Sequence, residues 1–365
     1  MIRMNDFAAE PEELLAAEAK AAERVIRSGW FILGKEVARF ESAFALWAGL
    51  PRAAGTGNGM DAIEIGLRAL GIGQGDEVIT TPTTAYATVL AIIRAGATPV
   101  LADIDPATAE LDFASAGRCV SRRTRAVLLV HIYGRIPEME KWSRFCAEKR
   151  IGLLEDCAQA HGARWAGKAA GTFGLFGAFS FYPTKNLGAL GDGGALCMST
   201  ADLDLKARQL RNYGQSDRYH HEELGLNSRL DDMQAAILSE RLAWVDRFAA
   251  RRRQIARAFN ARIDNPRVRP LSPPPAEENH VYHLYVVLCD DRDRLAAHLL
   301  ERGVETLVHY PVPAHHQKPS LSVRRDPSGL RVAERHAARC LSIPCHPQMS
   351  DADIETVVNA VNSFS

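Results

Sequence analysis

The sequence predicts an α/β fold with a mostly parallel central sheet flanked by helices. Short apolar runs at residues 77–80 and 98–103 enclose a helical segment at 88–95, which is the pattern of a βαβ unit. The run AVLLVH at 126–131, a helix at 137–149 and a run at 151–154 form a second unit. Strands that are apolar on both sides are typical of a parallel sheet covered by helices on both faces.

The segments around these units complete two predicted domains. We expect helices at 11–27, 37–47 and 60–70, and a glycine-rich loop, YPTKNLGALGDGG, between the strand-like runs AFSF and GALCM. The segment PRAA at 51–54 is a poor strand candidate. A long helix at 229–258 precedes a proline-rich connection at 272–275, after which a strand at 281–288 and helices at 292–302 and 351–362 follow. We therefore predict a large domain at 1–245 and a small C-terminal α/β domain at 246–365.

Composition disfavours several classes of protein. Lysine plus arginine and aspartate plus glutamate each number 44, so no net charge attracts nucleic acid or an anionic membrane. The basic run 251–253 lies in a helical pattern and is predicted to be a solvated face. Seven cysteines without CxxC spacing indicate neither a disulfide framework nor a metal site. Because the N-terminus lacks a signal-peptide pattern and no apolar run reaches membrane-span length, we expect a cytoplasmic protein.

Three features converge where the strands of such a sheet end. The glycines at 55–59 precede a helix, whose N-terminus suits a phosphate, although a plain turn would use the same residues. Their GxGxG spacing disfavours a nicotinamide site. Asp156 ends a strand, and alone it would more often cap a helix. Lys185 follows 29 residues later in the glycine-rich loop. Together, a phosphate seat, an acid and a lysine are what pyridoxal phosphate requires of a protein.

Several long motifs carry a resemblance to a known family. The strings GAFSFYPTKNLGALGDGGAL, EDCAQAHGA and LNSRLDDMQAAIL closely resemble the DegT/DnrJ/EryC1/StrS sugar aminotransferases, which have the aspartate-aminotransferase fold of type I. The likeness runs from GWFILGKEVARFE to LSIPCHPQMSDADI and so covers nearly the whole chain. It implies a pyridoxal-phosphate-dependent enzyme that acts as a homodimer with active sites at the subunit interface.

The resemblance also assigns roles to single residues. It implies that Lys185 forms the Schiff base with the cofactor and that Asp156 pairs with the pyridinium nitrogen. Gln159 would bond the ring hydroxyl oxygen, and Asn227 would reach the phosphate in the neighbouring subunit. The remaining phosphate contacts would come from Ser180 and from the backbone at Gly59 and Met60.

Two positions depart from the family's pattern. Met60 stands where the family usually has threonine, so a hydroxyl contact to the phosphate is lost while the backbone donor is kept. In the segment TAYAT, Ala85 occupies the usual place of the aromatic residue that stacks on the cofactor ring. Tyr86, one position later, is the candidate ring platform, and a core tyrosine is the alternative interpretation.

The expected reaction is transfer of an amino group from an amino acid, glutamate by family habit, to a nucleotide-linked keto sugar. Lysine at 185 argues against the family's dehydratase branch, which has histidine there. The segment VHYPVPAHHQ resembles members that act on the 3-keto group of dTDP-linked 6-deoxysugars. The substrate-side candidates in this segment are His309, Tyr310, His315 and Gln317, although the histidines could equally be surface residues.

The sequence leaves other functions open. Amination at C4 of a dTDP-, GDP- or UDP-linked 4-keto-6-deoxysugar, or of a non-nucleotide ring ketone, would use the same cofactor chemistry. A regulatory protein without enzymatic activity is a further alternative, against which the presence of Lys185, Asp156 and Gln159 argues.

Overall fold

The computed structural model describes residues 1–365 and contains twelve α-helices and fifteen β-strands. The helices are α1 Glu12–Ser28, α2 Lys35–Trp47, α3 Gly59–Ala69, α4 Tyr86–Arg94, α5 Phe113–Cys119, α6 Met139–Lys149, α7 Ala201–Leu210, α8 Asp232–Leu242, α9 Val245–Arg262, α10 Arg292–Glu301, α11 Arg331–Arg339 and α12 Asp351–Asn362. The strands are β1 Ala53–Thr56, β2 Glu77–Thr80, β3 Thr98–Leu101, β4 Thr124–Val130, β5 Gly152–Asp156, β6 Arg164–Trp165, β7 Lys168–Ala169, β8 Phe176–Ser180, β9 Gly194–Met198, β10 Gln215–Asp217, β11 His220–His221, β12 Arg269–Pro270, β13 Tyr285–Leu288, β14 Arg324–Arg325 and β15 Cys340–Ile343.

The central sheet has eight strands in the order β1-β9-β8-β5-β4-β2-β3-β14. The pairs from β8 through β5, β4, β2 and β3 to β14 are all parallel, whereas β9 is antiparallel to both β8 and β1. Seven strands therefore run in one direction and one runs against them. The predicted mostly parallel sheet is confirmed, and the carboxyl ends of the seven strands lie at one edge.

Both faces of the sheet are covered, as its apolar strands require. Within β4, Val127 and Leu129 belong to a core of 35 buried residues on one face, and Ala126 and Leu128 belong to a core of 19 on the other. This alternation follows from the two-residue period of a strand. A strand buried on both faces has no room for polar side chains, which explains its continuous apolar sequence.

A second, three-stranded antiparallel sheet, β12-β13-β15, lies in the C-terminal part of the chain. Its core of 21 buried residues includes Ile255, Ala256 and Phe259 of α9. The first turns of the same helix contribute Val245 and Ala249 to the core of the central sheet. The two parts of the chain thus share α9, and the domain boundary at residue 245 stays a prediction. No helix has both the length and the apolar character needed to cross a bilayer.

Three expectations about local structure were wrong. Residues 53–56 form β1, where the small side chains are needed because a Cβ on Gly55 would lie 2.8 Å from Leu230 Cβ. The single helix expected at 229–258 is two helices, α8 and α9, which are separated by a turn in which Trp244 N–H donates to Arg241 O. The strand expected at 281–288 is confined to β13, because Tyr282 takes a left-handed conformation with φ 46°.

The basic run was also only partly a solvated face. Arg252 is buried, and its Nη1 donates to the carbonyl oxygens of Cys345, Tyr282 and His283 at 2.6, 3.3 and 3.4 Å. A cation that ties three loop carbonyls together stabilises the junction between α9, β13 and the segment after β15. Sequence reasoning missed this role because the three acceptors lie 30 to 93 residues away.

Candidate active site

Residues at the ends of five strands, or in the segments that follow them, lie at the carboxyl edge of the central sheet. Asp156 is the last residue of β5, Ser180 is the last residue of β8, and Gly59 begins α3 shortly after β1. Because β5 pairs with β4 and β8, the turn after β4, at residues 131–134, lies beside Asp156, and the segment after β2 leads into α4. This edge is where open α/β sheets bind ligands.

Asp156 is a buried carboxylate held by two donors. Its Oδ2 accepts a hydrogen bond from Thr88 Oγ1 at 2.7 Å, and its Oδ1 accepts one from Ala158 N–H at 3.1 Å. The hydroxyl of Thr88 is in turn 2.8 Å from that of Thr84. Each carboxylate oxygen can accept more than one hydrogen bond, so the group is oriented and still able to receive a further donor.

Lys185 lies in the loop after β8, where the charge of Asp156 acts on its amine. The backbone N–H of Lys185 donates to Tyr182 O at 2.8 Å, which fixes the turn that carries the side chain. Burial lowers the pKa of Lys185 to about 8 from its ordinary value of 10.5, while the negative charge of Asp156 acts in the opposite direction. A half-buried amine with a lowered pKa is available as a nucleophile and base near neutral pH.

The start of α3 and the end of β8 form a close-packed cradle. A Cβ on Gly59 would lie 2.6 Å from Ser180 Cβ, so only glycine permits this approach. Asn58 caps α3 by accepting from Asp61 N–H at 2.8 Å, and its backbone oxygen accepts from Ala62 N–H. The N–H groups of Gly59 and Met60 therefore point from the helix N-terminus without being used by the cap, as an anion site requires.

Gln159 and Tyr310 are brought together from positions 151 residues apart. Gln159 Nε2 donates to Tyr310 Oη at 3.1 Å, and Gln159 Oε1 accepts from Tyr133 N–H at 2.5 Å. Burial raises the pKa of Tyr310 to about 12, and the negative charge of Asp156 adds to this effect. Tyr310 is therefore a neutral hydroxyl on the same side of the sheet as Asp156.

The other substrate-side candidates make contacts within the chain. His309 Nδ1 is 2.9 Å from Ser342 Oγ, and burial together with the positive charge of Lys185 lowers the pKa of His309 to about 4. His315 is buried with its Nε2 3.1 Å from Glu334 Oε1. Gln317 Nε2 is 3.5 Å from the carbonyl oxygen of Val312. His309 and Tyr310 thus lie near Lys185 and Asp156. His315 instead contacts Glu334 of α11.

Two further candidates for cofactor binding are Tyr86 and Asn227. Tyr86 begins α4, and its hydroxyl is 2.8 Å from Ser320 Oγ, which orients the ring. Asn227 is exposed and is joined to its own chain by a backbone bridge to Asn212. An exposed asparagine at this position is free to contact a neighbouring subunit.

Sequence reasoning missed three residues of this site. Thr88 holds Asp156, which lies 68 residues later in the chain, and no sequence pattern joins the two. Tyr133 holds Gln159, for which the sequence contains no signal because the two residues come from different strand ends. His161 packs against Phe179 and Phe181, and burial followed by the charge of Lys185 lowers the pKa of this histidine to about 3.

Comparisons with known proteins match nearly the whole chain to aminotransferases. Residues 13–362 match the DegT/DnrJ/EryC1/StrS aminotransferase family. A dTDP-3-amino-3,4,6-trideoxy-alpha-D-glucose transaminase of Streptomyces venezuelae is 40% identical over 99% of this chain and 95% of its own length. A pleiotropic regulatory protein of Geobacillus stearothermophilus is 39% identical over 100% of this chain and 98% of its own.

A solved structure agrees with the fold in detail. The crystal structure of S. venezuelae DesV in complex with a ketimine intermediate superposes with a TM-score of 0.94, at 39% identity, over 99% of this chain and 97% of that one. The predicted fold type and the predicted enzyme class, an aminotransferase, are confirmed by these matches. The chain belongs to the DegT/DnrJ/EryC1/StrS aminotransferase family.

Proposed function

We propose that the chain is a pyridoxal-phosphate-dependent aminotransferase that transfers the amino group of L-glutamate to the 3-keto group of a dTDP-linked 6-deoxyhexose. The observation that carries the proposal is that Lys185, with its lowered pKa, and the buried carboxylate of Asp156, whose charge acts on that amine, lie at the same carboxyl edge of the sheet. The name of the S. venezuelae relative, which is 40% identical, supports the choice of a dTDP sugar aminated at C3.

The described residues fit this cofactor group by group. Pyridoxal phosphate offers a phosphate, a ring nitrogen, a ring hydroxyl and an aldehyde. The cradle where Gly59 leaves no room for a Cβ beside Ser180 suits the phosphate, with the backbone of Met60 as a further donor. Asp156 has unused acceptor capacity for a protonated ring nitrogen, and Gln159 presents an N–H for the hydroxyl oxygen.

The remaining assignments concern the ring face and the aldehyde. Tyr86 is the proposed platform for the ring, Lys185 the residue that binds the aldehyde carbon, and Asn227 the phosphate contact from a second subunit. When bound, the cofactor supplies an electron sink for the substrate carbon. Lys185 then moves the proton at that carbon, because its lowered pKa lets it act as both base and acid near neutral pH.

The sugar is proposed to lie against the segment at 309–317. His309 and Tyr310 carry polar groups close to Lys185 and Asp156, as the charge effects on their pKa values indicate. His315 and Gln317 extend the same wall. Because a keto sugar presents several hydroxyls, buried polar groups of fixed direction would select the ring carbon that faces Lys185.

We also propose a homodimer with shared active sites. Trp30 and Phe31 are 64% and 53% exposed, and Tyr182 and Leu190 in the Lys185 loop are 53% and 58% exposed. The two groups lie around the start of α8, because Asp232 N–H donates to Phe31 O and Leu190 N–H donates to Gln234 Oε1, each at 2.9 Å. An apolar patch of this kind beside a site is typical of a protein interface.

The oligomeric state is testable by light scattering. The 40.0 kDa chain should give a particle of about 80 kDa, twice the chain mass, and Trp30→Glu should shift it towards the monomer by placing a charge in the interface. Leu300→Glu, at an exposed apolar residue of α10, is the matched control and should leave the mass unchanged. A wild-type mass of about 40 kDa would contradict the proposed dimer.

The activity is tested with purified protein, glutamate and either a dTDP-3-keto or a dTDP-4-keto 6-deoxysugar, and NMR shows which carbon carries the amine. We expect amination at C3, bound cofactor visible by its absorbance, and loss of both covalent absorbance and activity in Lys185→Ala. Lys168→Ala, at an exposed lysine of β7, should behave like the wild type. Amination only at C4 would overturn the substrate, and unchanged absorbance in Lys185→Ala would overturn the cofactor role.

A further inference from the structure

Tyr133 contacts two walls of the site, one through Gln159 and the other through His309. It lies in the turn after β4, is buried, and adopts a left-handed backbone conformation with φ 61° and ψ 5°. A non-glycine residue is seldom found there, because the Cβ is crowded by the backbone. Such a conformation is kept when the surrounding contacts demand it.

The first contact is made by the backbone. Tyr133 N–H donates to Gln159 Oε1 at 2.5 Å. An N–H can only donate, so this bond fixes which end of the Gln159 amide is oxygen and which is nitrogen. The Nε2 end must therefore be directed to the other side, where it donates to Tyr310 Oη at 3.1 Å. The turn after β4 thus determines that Gln159 presents a donor to the site.

The second contact is made by the side chain. The hydroxyl of Tyr133 donates to the carbonyl oxygen of His309 at 2.6 Å, and it is 2.9 Å from His336 Nε2. Because its proton is used for the carbonyl, the hydroxyl accepts from His336, which requires the tautomer protonated at Nε2. Burial lowers the pKa of His336 to about 4, so the ring is neutral at pH 7. The hydroxyl is therefore satisfied in both directions.

We propose that Tyr133 is a positioning residue whose hydroxyl holds the His309–Tyr310 segment against Gln159, so that the segment proposed to face the sugar and the cofactor wall of the site are set by one residue. This inference rests on the proposed function for its kinetic consequence. Its structural basis does not depend on that function. It is the hydrogen bond between the Tyr133 hydroxyl and His309 O, two residues that lie 176 positions apart in the sequence. No other hydroxyl bonds that carbonyl, which otherwise meets the weak donor Cys340 Sγ at 3.7 Å.

The test compares Tyr133→Phe with Tyr285→Phe. Tyr133→Phe keeps the ring and the N–H to Gln159 and removes only the hydroxyl. Tyr285 is equally buried, and its hydroxyl donates to Asn260 Oδ1 at 2.7 Å in the small domain, so Tyr285→Phe loses a comparable bond away from the site. Tyr133→Phe loses two hydrogen bonds, to His309 and His336, and Tyr285→Phe loses one. Both should lower the thermal midpoint, by about 1 to 4 °C, with the larger fall in Tyr133→Phe.

Two readouts separate positioning from mere stability. With glutamate and the keto sugar, Tyr133→Phe should lower kcat/KM for the sugar about tenfold and leave the absorbance of the bound cofactor unchanged, whereas Tyr285→Phe should alter neither. Hydrogen exchange needs no activity, and the amides of Leu307 and Ala314, which flank the segment and donate to Ser342 O at 3.2 Å and to Pro82 O at 2.9 Å, should exchange about tenfold faster in Tyr133→Phe only.

The outcomes distinguish this inference from the proposed function. If the amides of Leu307 and Ala314 exchange at the same rates in Tyr133→Phe and Tyr285→Phe, the positioning role is overturned even when the enzyme is active. If exchange accelerates as expected but the wild type aminates no keto sugar, the hold of Tyr133 on the segment stands and the proposed substrate fails.

Discussion

The pKa of Lys185 should lie far below that of an ordinary lysine, and it can be measured by following the reactivity of this residue as the pH is changed. Burial lowers its pKa to about 8 from 10.5. At pH 7.5 the neutral amine would then make up about 24% of the protein, against about 0.1% for an unshifted lysine, which is roughly a 240-fold difference. Because the neutral amine is the nucleophile, the reactivity of Lys185 near neutral pH depends on this shift.

The assay is competitive acylation of the cofactor-free protein between pH 6 and pH 11, with the modified peptides quantified by mass spectrometry. The label on Lys185 should follow a titration with a midpoint of about 8. Lys168, which is exposed, serves as the reference for reagent decay at each pH. Restricted access to the half-buried amine of Lys185 reduces the absolute rate of labelling but does not move the midpoint of the titration.

The direction in which the charge of Asp156 shifts the pKa of Lys185 gives a second test. The negative charge of Asp156 favours the protonated amine, so Asp156→Asn should move the Lys185 midpoint below that of the wild type. A wild-type midpoint near 10.5 would refute the argument from burial. A midpoint that rises in Asp156→Asn would refute the assigned influence of the carboxylate.

Two further substitutions test how the cofactor is held. Thr88→Val removes the hydroxyl that donates to Asp156 with little change of shape; a hydrogen bond to a charged acceptor contributes about 1.5–3 kcal/mol, so we expect cofactor affinity to fall about 10- to 150-fold in an absorbance titration. An unchanged affinity would show that Asp156 is held adequately by other groups. Gly59→Ala should weaken binding of pyridoxal phosphate but not of pyridoxal, because its Cβ would force Ser180 away from α3, whereas Gly117→Ala, with open space at its Cβ, should affect neither. Equal losses for both ligands would contradict a phosphate cradle at Gly59.

The parallel sheet could be predicted because its strands have continuous apolar sequences, which indicate burial on both faces. The run at 77–80 has the same bounds in the sequence prediction and in β2, and the helix at 351–362 matches α12. Strand β1 could not be predicted in this way. Its residues, AAGT, are small because Leu230 packs closely against Gly55, and that contact depends on a residue 175 positions later in the sequence.

The residues of the site also differ in whether the sequence alone could predict them. Asp156 and Lys185 could be proposed from the sequence because they stand at a strand end and in a glycine-rich loop within recognisable motifs. Thr88 and Tyr133 could not, since each acts on a residue from another strand, 68 and 26 positions away. Arg252 was assigned to the surface for the same reason, because its three acceptors become neighbours only when the small sheet packs on α9.

The two ends of the site are built on different supports, and this bears on how specificity can vary. The cofactor end rests on strands whose relative positions are fixed by the ladder of a parallel sheet, as between Val130 and Asp156. The proposed sugar end rests on a loop that meets this frame through single side-chain bonds, among them those of Tyr133 and Gln159. A change in the loop can therefore move polar groups around a keto sugar while Asp156 stays in place. That separation is a physical reason for one scaffold to keep a cofactor and accept different sugars.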